Sequence, residues 1–402
     1  MNNKTLVSEL AIFGGTPLFS EIKSTSNLVQ PSEEKFNSYL FSSFENKTLS
    51  KQGPCVELLE KRLANIHQVK HCITFCNGLW SLVTAMKLLA LEGKTEVIMP
   101  SLTYRRMADI AAWVGLTPRF CEVENNTLAV SRATIETCIN ENTALILAAH
   151  PIINLCDISG IVTLANEHKI PLLFDSVEAS FSSFNNQMVG GFGDAECFSM
   201  HASKFLNGFE GGYVTTNNDK LANMLRASSY GDLHHGEEGS MELTLCEPHA
   251  AMTLASVDDA DNQVKRNLAR YREYQHELST INGMELLKYQ ENERRTFKNT
   301  IVKLNDSWPL SRDDTIKLFH KENMLVRAYY FPALHCKQYS FKVEIGDLTN
   351  TKTLSELYLN LPSGDFLQLD DINKIGALIR FIELNGKEVK AAMKGTIYEQ
   401  DK

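Results

Sequence analysis

The sequence predicts an α/β protein: a large domain with a mostly parallel sheet flanked by helices, followed by a smaller C-terminal α+β domain. Short apolar strands alternate with helices from about residue 69 to residue 216, a pattern typical of parallel sheets covered on both faces. Beyond about residue 258, a long charged helix is followed by short strands mixed with helices. We therefore expect an N-terminal arm (1–30), a large domain (31–258) and a small domain (259–402).

Hydrophobic periodicity and turn residues predict the individual elements in chain order. The arm contains turn residues and a polar stretch, and the tail after Lys387 is expected to be solvated. Strands are expected at 71–75, 96–100, 118–123, 143–150, 171–175, 195–200, 212–216, 300–304 and 325–330, and helices at 55–66, 79–91, 106–114, 158–168, 262–278, 313–321 and 367–383.

Composition and charge exclude several classes of protein. The formal net charge of -9 argues against a nucleic-acid partner, because phosphate backbones need a basic face. The most apolar run, 144–153, is too short to cross a bilayer, and the first residues lack the apolar core of a signal peptide. The 9 cysteines form no C-x-x-C pair, so we expect no metal site and a reducing cytoplasmic location.

Two residues at the carboxyl ends of predicted strands indicate the chemistry. Lys204 follows an apolar strand and precedes the glycine-rich segment 208–212, and a partly desolvated lysine can form a Schiff base. Asp175 ends a buried strand, where an unpaired carboxylate would be costly. A carboxylate facing a pyridine nitrogen, with a lysine at the aldehyde carbon, is what pyridoxal 5′-phosphate (PLP) requires.

Four further residues are candidates for contacts with such a cofactor. Gly78 lies between a strand and a helix, where backbone N–H groups can bind an anion, although a plain turn explains Asn77-Gly78 equally well. Tyr104 lies just past a strand end and can stack on an aromatic ring, unless it is an ordinary half-buried core tyrosine. Ser199 offers a hydroxyl to a phosphate, and Val177 can press on the opposite ring face.

The chain resembles the DegT/DnrJ/EryC1/StrS family of PLP-dependent aminotransferases, which have fold type I. The most specific stretch runs from Val189 through Phe198-Ser199-Met200-His201-Ala202-Ser203-Lys204 to Glu210-Gly211-Gly212. The other matching segments are Phe13-Gly14-Gly15-Thr16-Pro17, Met99-Pro100-Ser101-Leu102-Thr103-Tyr104, Phe174-Asp175-Ser176-Val177-Glu178-Ala179, His249-Ala250-Ala251-Met252 and Phe331-Pro332-Ala333-Leu334-His335.

The resemblance implies a role for each of these positions. Lys204 would carry PLP as an imine, with the amine form of the cofactor (PMP) as the second state, and Asp175 would partner the pyridine nitrogen. Tyr104 would stack on the ring, and Gly78, Leu79 and Ser199 would contact the phosphate. Glu178 would lie near the phenolic oxygen, and two subunits would share each active site in a homodimer.

Three departures from the family pattern affect the surroundings of the cofactor. Leu79 stands where the family usually has a hydroxyl residue. Glu178 replaces a Gln or His, and a carboxylate beside a phenolate is repulsive unless one of them is protonated. Glu242 and Thr244 align with an Asn and a Lys or Arg that reach the phosphate of the neighbouring subunit, so phosphate binding is expected to be weaker.

The sequence leaves three functions open. The first is a PLP-dependent aminotransferase that moves an amino group from an amino acid, with glutamate as the donor implied by the resemblance, to a keto sugar or a related biosynthetic intermediate. The second is a PLP-dependent lyase or dehydratase that uses Glu178 as an extra acid or base, and the third is a non-catalytic protein with the PLP fold. In each enzymatic case His201, His234 and Arg327 are candidates for substrate contacts.

Overall fold

The structure, a computed structural model, describes residues 4–25, 29–230 and 241–400. Its helices are α1 (Glu33–Glu45), α2 (Pro54–His67), α3 (Gly78–Leu89), α4 (Met107–Trp113), α5 (Arg132–Glu136), α6 (Ile158–His168), α7 (Asp219–Tyr230), α8 (Glu247–Leu278), α9 (Arg312–Lys321), α10 (Thr349–Ser355), α11 (Leu369–Leu384) and α12 (Gly386–Gln400). Its strands are β1 (Lys23–Ser24), β2 (His71–Phe75), β3 (Glu96–Pro100), β4 (Thr117–Cys121), β5 (Thr143–Ala149), β6 (Leu172–Asp175), β7 (Ser183–Phe184), β8 (Gln187–Met188), β9 (Ala195–Ser199), β10 (Gly212–Thr216), β11 (Met284–Leu286), β12 (Thr300–Leu304), β13 (Met324–Leu325), β14 (Arg327–Ala328), β15 (Glu344–Ile345) and β16 (Tyr358–Leu361).

An eight-stranded sheet in the order β15-β4-β3-β5-β6-β9-β10-β2 forms the centre of the molecule. Its strands pair in parallel except for β10, which is antiparallel to both β9 and β2. Every residue of β3 and of β5 is buried, as expected for central strands covered by helices on both faces. The predicted fold class is therefore confirmed, and β3, β5, β6 and β9 end at one common edge.

Helix α8 is longer than the sequence pattern predicts and crosses the proposed domain boundary at residue 258 without a break. The expected start was Asn262, but the helix begins at Glu247. Its first turns are buried nearly all round, with Ala250, Ala251 and Leu254 fully inaccessible, so they carry no amphipathic signal. The division into arm, large domain and small domain stays a prediction.

The C-terminal part contains a second sheet in the order β11-β12-β16-β14. The first residues of the chain pack here: Val7, Leu10 and Phe19 join its apolar core, and β1 pairs in parallel with β13. The prediction of a solvated tail is wrong, because α12 buries Val389 and Met393 against the same core. No helix in the described ranges is long and apolar enough to cross a membrane.

Candidate active site

The candidate catalytic residues meet at the carboxyl edge of the central sheet. Asp175 is the last residue of β6 and pairs in register with Cys197 of the neighbouring strand β9. Lys204 follows β9 in a turn that its own N–H stabilises by donating to the His201 carbonyl over 2.8 Å. The Lys204 ammonium interacts electrostatically with both Asp175 and Tyr104, so the fold brings these three predicted residues together.

Gly78 and Ser199 form a tight junction at the start of α3. The Asn77 side chain caps the helix by accepting from the Trp80 N–H. A Cβ on Gly78 would lie 2.8 Å from the Ser199 Cβ, and one on Gly212 would lie 2.5 Å from the Gly78 backbone. The absence of both side chains lets the Ser199 hydroxyl lie beside the first turn of a helix, whose N–H groups favour anions.

We expect Gly78→Ala to weaken cofactor binding by at least about tenfold, because the new methyl group must displace Ser199 from the anion cradle, at a cost typical of overpacking. Titration of the apoprotein with PLP, followed by absorbance, measures the dissociation constant. Gly93→Ala is the control, because its added Cβ meets nothing within 4 Å. The strain of an alanine at the positive φ of 75° should lower the stability of the fold without changing PLP binding. Equal weakening by both variants would contradict a phosphate-binding role for this junction.

Glu178 has buried partners that the sequence did not predict. Its Oε1 accepts from the Lys204 Nζ at 2.6 Å, and its Oε2 accepts from the Lys298 Nζ at 2.7 Å. The Asn299 amide lies 3.4 Å from the same Oε2. Lys298 and Asn299 immediately precede β12 of the C-terminal sheet, and their only sequence signal is a polar pair leading into an apolar strand.

Burial and charge shift the pKa values of this cluster in different directions. Burial raises the pKa of Asp175 to about 6, although the Val177 N–H bond and Lys204 oppose the shift. For Lys204, burial acts to lower the pKa, but the Glu178 carboxylate outweighs it and the pKa lies above its usual value. Burial likewise acts to raise the pKa of Glu178, yet Lys204 and Lys298 hold it well below its usual range. Glu178 is therefore ionised and needs no proton to be accommodated.

Tyr330 is a further residue of the site that sequence reasoning missed. It follows β14, and burial together with Glu178 and Asp175 raises the pKa of its phenol well above the usual value. Tyr104, which is 37% exposed, also interacts with it electrostatically. Tyr329, which precedes Tyr330 in the chain, accepts a hydrogen bond from the Ile152 N–H at 3.1 Å. This bond connects the segment after β14 to the residues that follow β5.

The other candidates have mixed positions. Leu79 is 37% exposed on the first turn of α3, and the Val177 N–H donates to Asp175 Oδ1 at 3.2 Å. His201 is exposed and contacts Ser203, whereas Arg327 is exposed on an edge strand of the second sheet. His234 lies outside the described residues.

Glu242, which aligns with a phosphate-binding position of the family, has a lysine beside its carboxylate. Glu242 forms an ion pair with Lys51, whose Nζ lies 2.6 Å from Oε1. Both side chains are substantially exposed, so the pair contributes little to stability. Lys51 nevertheless places a cation beside the carboxylate that the sequence introduces here.

A buried carboxylate, a lysine close to it and a glycine-lined anion cradle fit the three functional groups of PLP: the pyridine nitrogen, the aldehyde and the phosphate. The fold and the site together define a PLP-dependent enzyme of fold type I. The chain belongs to the DegT/DnrJ/EryC1/StrS aminotransferase family, whose model matches residues 30–380. It is therefore an aminotransferase that uses PLP, as the sequence predicted.

Similar proteins match nearly the whole chain. It is 26% identical to dTDP-4-amino-4,6-dideoxy-D-glucose transaminase of Shigella dysenteriae, over 88% of this chain and 97% of that protein. It is 28% identical to GDP-perosamine synthase of Vibrio cholerae, over 84% of this chain and 93% of that protein. The crystal structure of DesI with its TDP-sugar product superposes with a TM-score of 0.90 at 28% identity, covering 97% of this chain and all of that one.

Proposed function

We propose that this aminotransferase transfers an amino group from glutamate to a keto sugar, with a nucleotide-linked keto sugar as the first acceptor to test. The observation that carries the proposal is the meeting of Lys204, Asp175 and the Gly78–Ser199 junction at one sheet edge. Relatives that match nearly the whole chain are a dTDP-sugar transaminase and GDP-perosamine synthase, and they support a sugar as acceptor.

When bound, PLP supplies an aldehyde that takes up the amino group and a ring that withdraws electrons. Lys204 would hold the cofactor through its Nζ and, once released, would carry a proton between the two carbon atoms that react, the α-carbon of the donor and the former aldehyde carbon of the cofactor. Asp175 would keep the pyridine nitrogen protonated through its buried carboxylate. Tyr104 and Val177 would hold the two faces of the ring, and Gly78, Leu79 and Ser199 would bind the phosphate.

A half-reaction tests the proposed donor and reaction class. We expect the PLP-loaded enzyme and excess L-glutamate, with no acceptor, to yield about one 2-oxoglutarate per active site, because the amino group stays on the enzyme. D-Glutamate is the control and should yield none. Absence of 2-oxoglutarate, together with turnover of a sugar by elimination, would instead support a lyase or dehydratase. Mass spectrometry with dTDP-, GDP- and UDP-linked keto sugars then identifies the acceptor.

The two alternatives to transamination have less support. The ionised Glu178 already accepts from Lys204 and Lys298, which leaves it poorly suited to act as the free acid or base of a lyase. A non-catalytic role would not require Lys204 and Asp175 to lie within electrostatic reach of one another. His201 and Arg327 stay candidates for substrate contacts, since both are exposed and can donate to an anionic group.

We further propose a homodimer located in the cytoplasm. Phe41 and Phe44 on α1 are 61% and 58% exposed, and Phe209, close to Lys204 in the chain, is 45% exposed. Exposed aromatic side chains of this size are typical of association surfaces. Each of the 9 cysteines is a free thiol, which fits a reducing compartment.

A further inference from the structure

Two lysines share one buried carboxylate in the candidate active site. Lys204 and Lys298 each donate to a different oxygen of Glu178, at 2.6 and 2.7 Å. The side chains of Lys298 and Glu178 are only 5% and 10% exposed, whereas that of Lys204 is 26% exposed. The more accessible lysine is the one that would carry the cofactor, and the deeper one comes from the segment before β12.

The two lysines differ in what happens when the cofactor binds. The Nζ of Lys204 would be bonded to the cofactor in the loaded enzyme, so it would no longer provide Glu178 with a free ammonium group. A buried carboxylate that is left without any cation is strongly destabilised, so a second cation is needed once Lys204 is bonded. Lys298 lies 2.7 Å from the other oxygen of Glu178, with Asn299 beside it, and would remain as the cation of this carboxylate.

We propose that Lys298 is a positioning residue that neutralises Glu178, so that the Glu178–Lys298 pair acts on the nitrogen of Lys204 as a neutral unit. The pair would thereby stand in for the Gln or His that the resemblance implies at the position of Glu178. This proposal rests on the proposed role of Lys204 as the residue that carries PLP.

Other charged and titratable groups face the same cluster, and none of them is substituted in the variants that are compared. Asp175 reaches it from the end of β6 and Tyr104 from the segment after β3. The tyrosines that interact electrostatically with Glu178 are Tyr289, Tyr329 and Tyr330, and burial raises the pKa of all three phenols. These phenols are therefore neutral near pH 8. The charges that differ between the wild type and the variants are those of Glu178, Lys298 and the Lys204 nitrogen.

The sign of each effect follows from the charge that is left behind. Lys298→Met leaves Glu178 negative and unneutralised, which favours the protonated, cationic form of the Lys204 nitrogen in the loaded enzyme. Glu178→Gln leaves Lys298 positive and disfavours that form. A nearby charge shifts a pKa by about one unit or more, so the midpoint should rise in Lys298→Met and fall in Glu178→Gln by about that amount. The double variant should lie close to the wild type.

Spectrophotometric pH titration of the bound cofactor in the holoenzyme measures these midpoints directly, without an activity assay. Lys23→Met is the matched control, because Lys23 pairs with Asp371 at 2.8 Å in a partly buried ion pair outside the site. Its midpoint should equal that of the wild type. An unchanged midpoint in Lys298→Met would overturn the proposal.

A second comparison covers the case in which Lys298→Met does not fold or load. A midpoint of the double variant that returns towards the wild type, relative to Glu178→Gln, supports the proposal. A double variant indistinguishable from Glu178→Gln overturns it. Failure of the proposed function is a separate result: wild-type protein would then show no cofactor absorbance that depends on Lys204.

Discussion

Replacing Lys204 with alanine is expected to lower the rate of transamination by at least about 1,000-fold, because proton transfer by a positioned side chain alone contributes up to about four orders of magnitude. The variant also loses the atom to which PLP would be bonded. Borohydride reduction followed by mass spectrometry of the intact chain should therefore add the mass of the cofactor to the wild type and not to Lys204→Ala.

The buried neighbour of Lys204 makes this experiment more discriminating. Lys298 donates to the same carboxylate, so it is the residue best placed to replace Lys204 as the attachment point. Peptide mapping of the reduced wild type should locate the cofactor on Lys204 alone. Cofactor mass on Lys298 in the wild type would show that the deeper lysine carries PLP, and Lys23→Met is the control for general loss of a lysine.

Asp175→Asn is expected to reduce kcat by at least about 100-fold, a typical loss when one preorganised electrostatic contact to the reacting system is removed. The amide cannot hold a proton on the pyridine nitrogen as a carboxylate does. Steady-state rates at saturating PLP and substrate measure the effect. Glu196→Gln is a matched control, since Glu196 is a fully buried carboxylate on the adjacent strand β9. This carboxylate accepts a hydrogen bond from the Ser176 hydroxyl. A rate loss of equal size in both variants would contradict a specific role for Asp175.

The same substitution is expected to stabilise the apoprotein at neutral pH. Burial raises the pKa of Asp175 from 3.8 to about 6. The folded state thus favours the protonated acid, and this advantage is full below about pH 4 and is lost as the pH rises through about 6. Above pH 6 the ionised carboxylate destabilises the fold by up to about 3 kcal/mol, a cost that asparagine avoids.

Thermal unfolding of the two apoproteins between pH 4 and pH 8 measures this effect. The unfolding temperature of Asp175→Asn should exceed that of the wild type at pH 8, and the two should converge near pH 4. Saturation with PLP should reduce the difference at pH 8, because a protonated pyridine nitrogen would neutralise the Asp175 carboxylate. A difference that does not change with pH would indicate a packing effect rather than the titration of Asp175.

Much of the large sheet could be predicted from the sequence because its strands are short, apolar and separated by helices. The bounds of β2, β3, β10 and α6 match the prediction residue by residue. Helices α1 and α7 are among those that were not predicted, and α12 was mistaken for a solvated tail. The short strands β13 and β14 replace one predicted strand at 325–330.

The sequence by itself determined the family through its motifs and, with the family, the cofactor. It also predicted that Lys204 and Asp175 lie near each other, because strand-end residues in a parallel sheet converge at one edge whatever the details of packing. Only the tertiary structure decided the surroundings of Glu178. Lys298 is 120 residues away along the chain, and its approach depends on how the C-terminal sheet packs against the large one. Local patterns carry no information on such a distant pairing, so the charge that makes Glu178 acceptable becomes visible only in the folded protein.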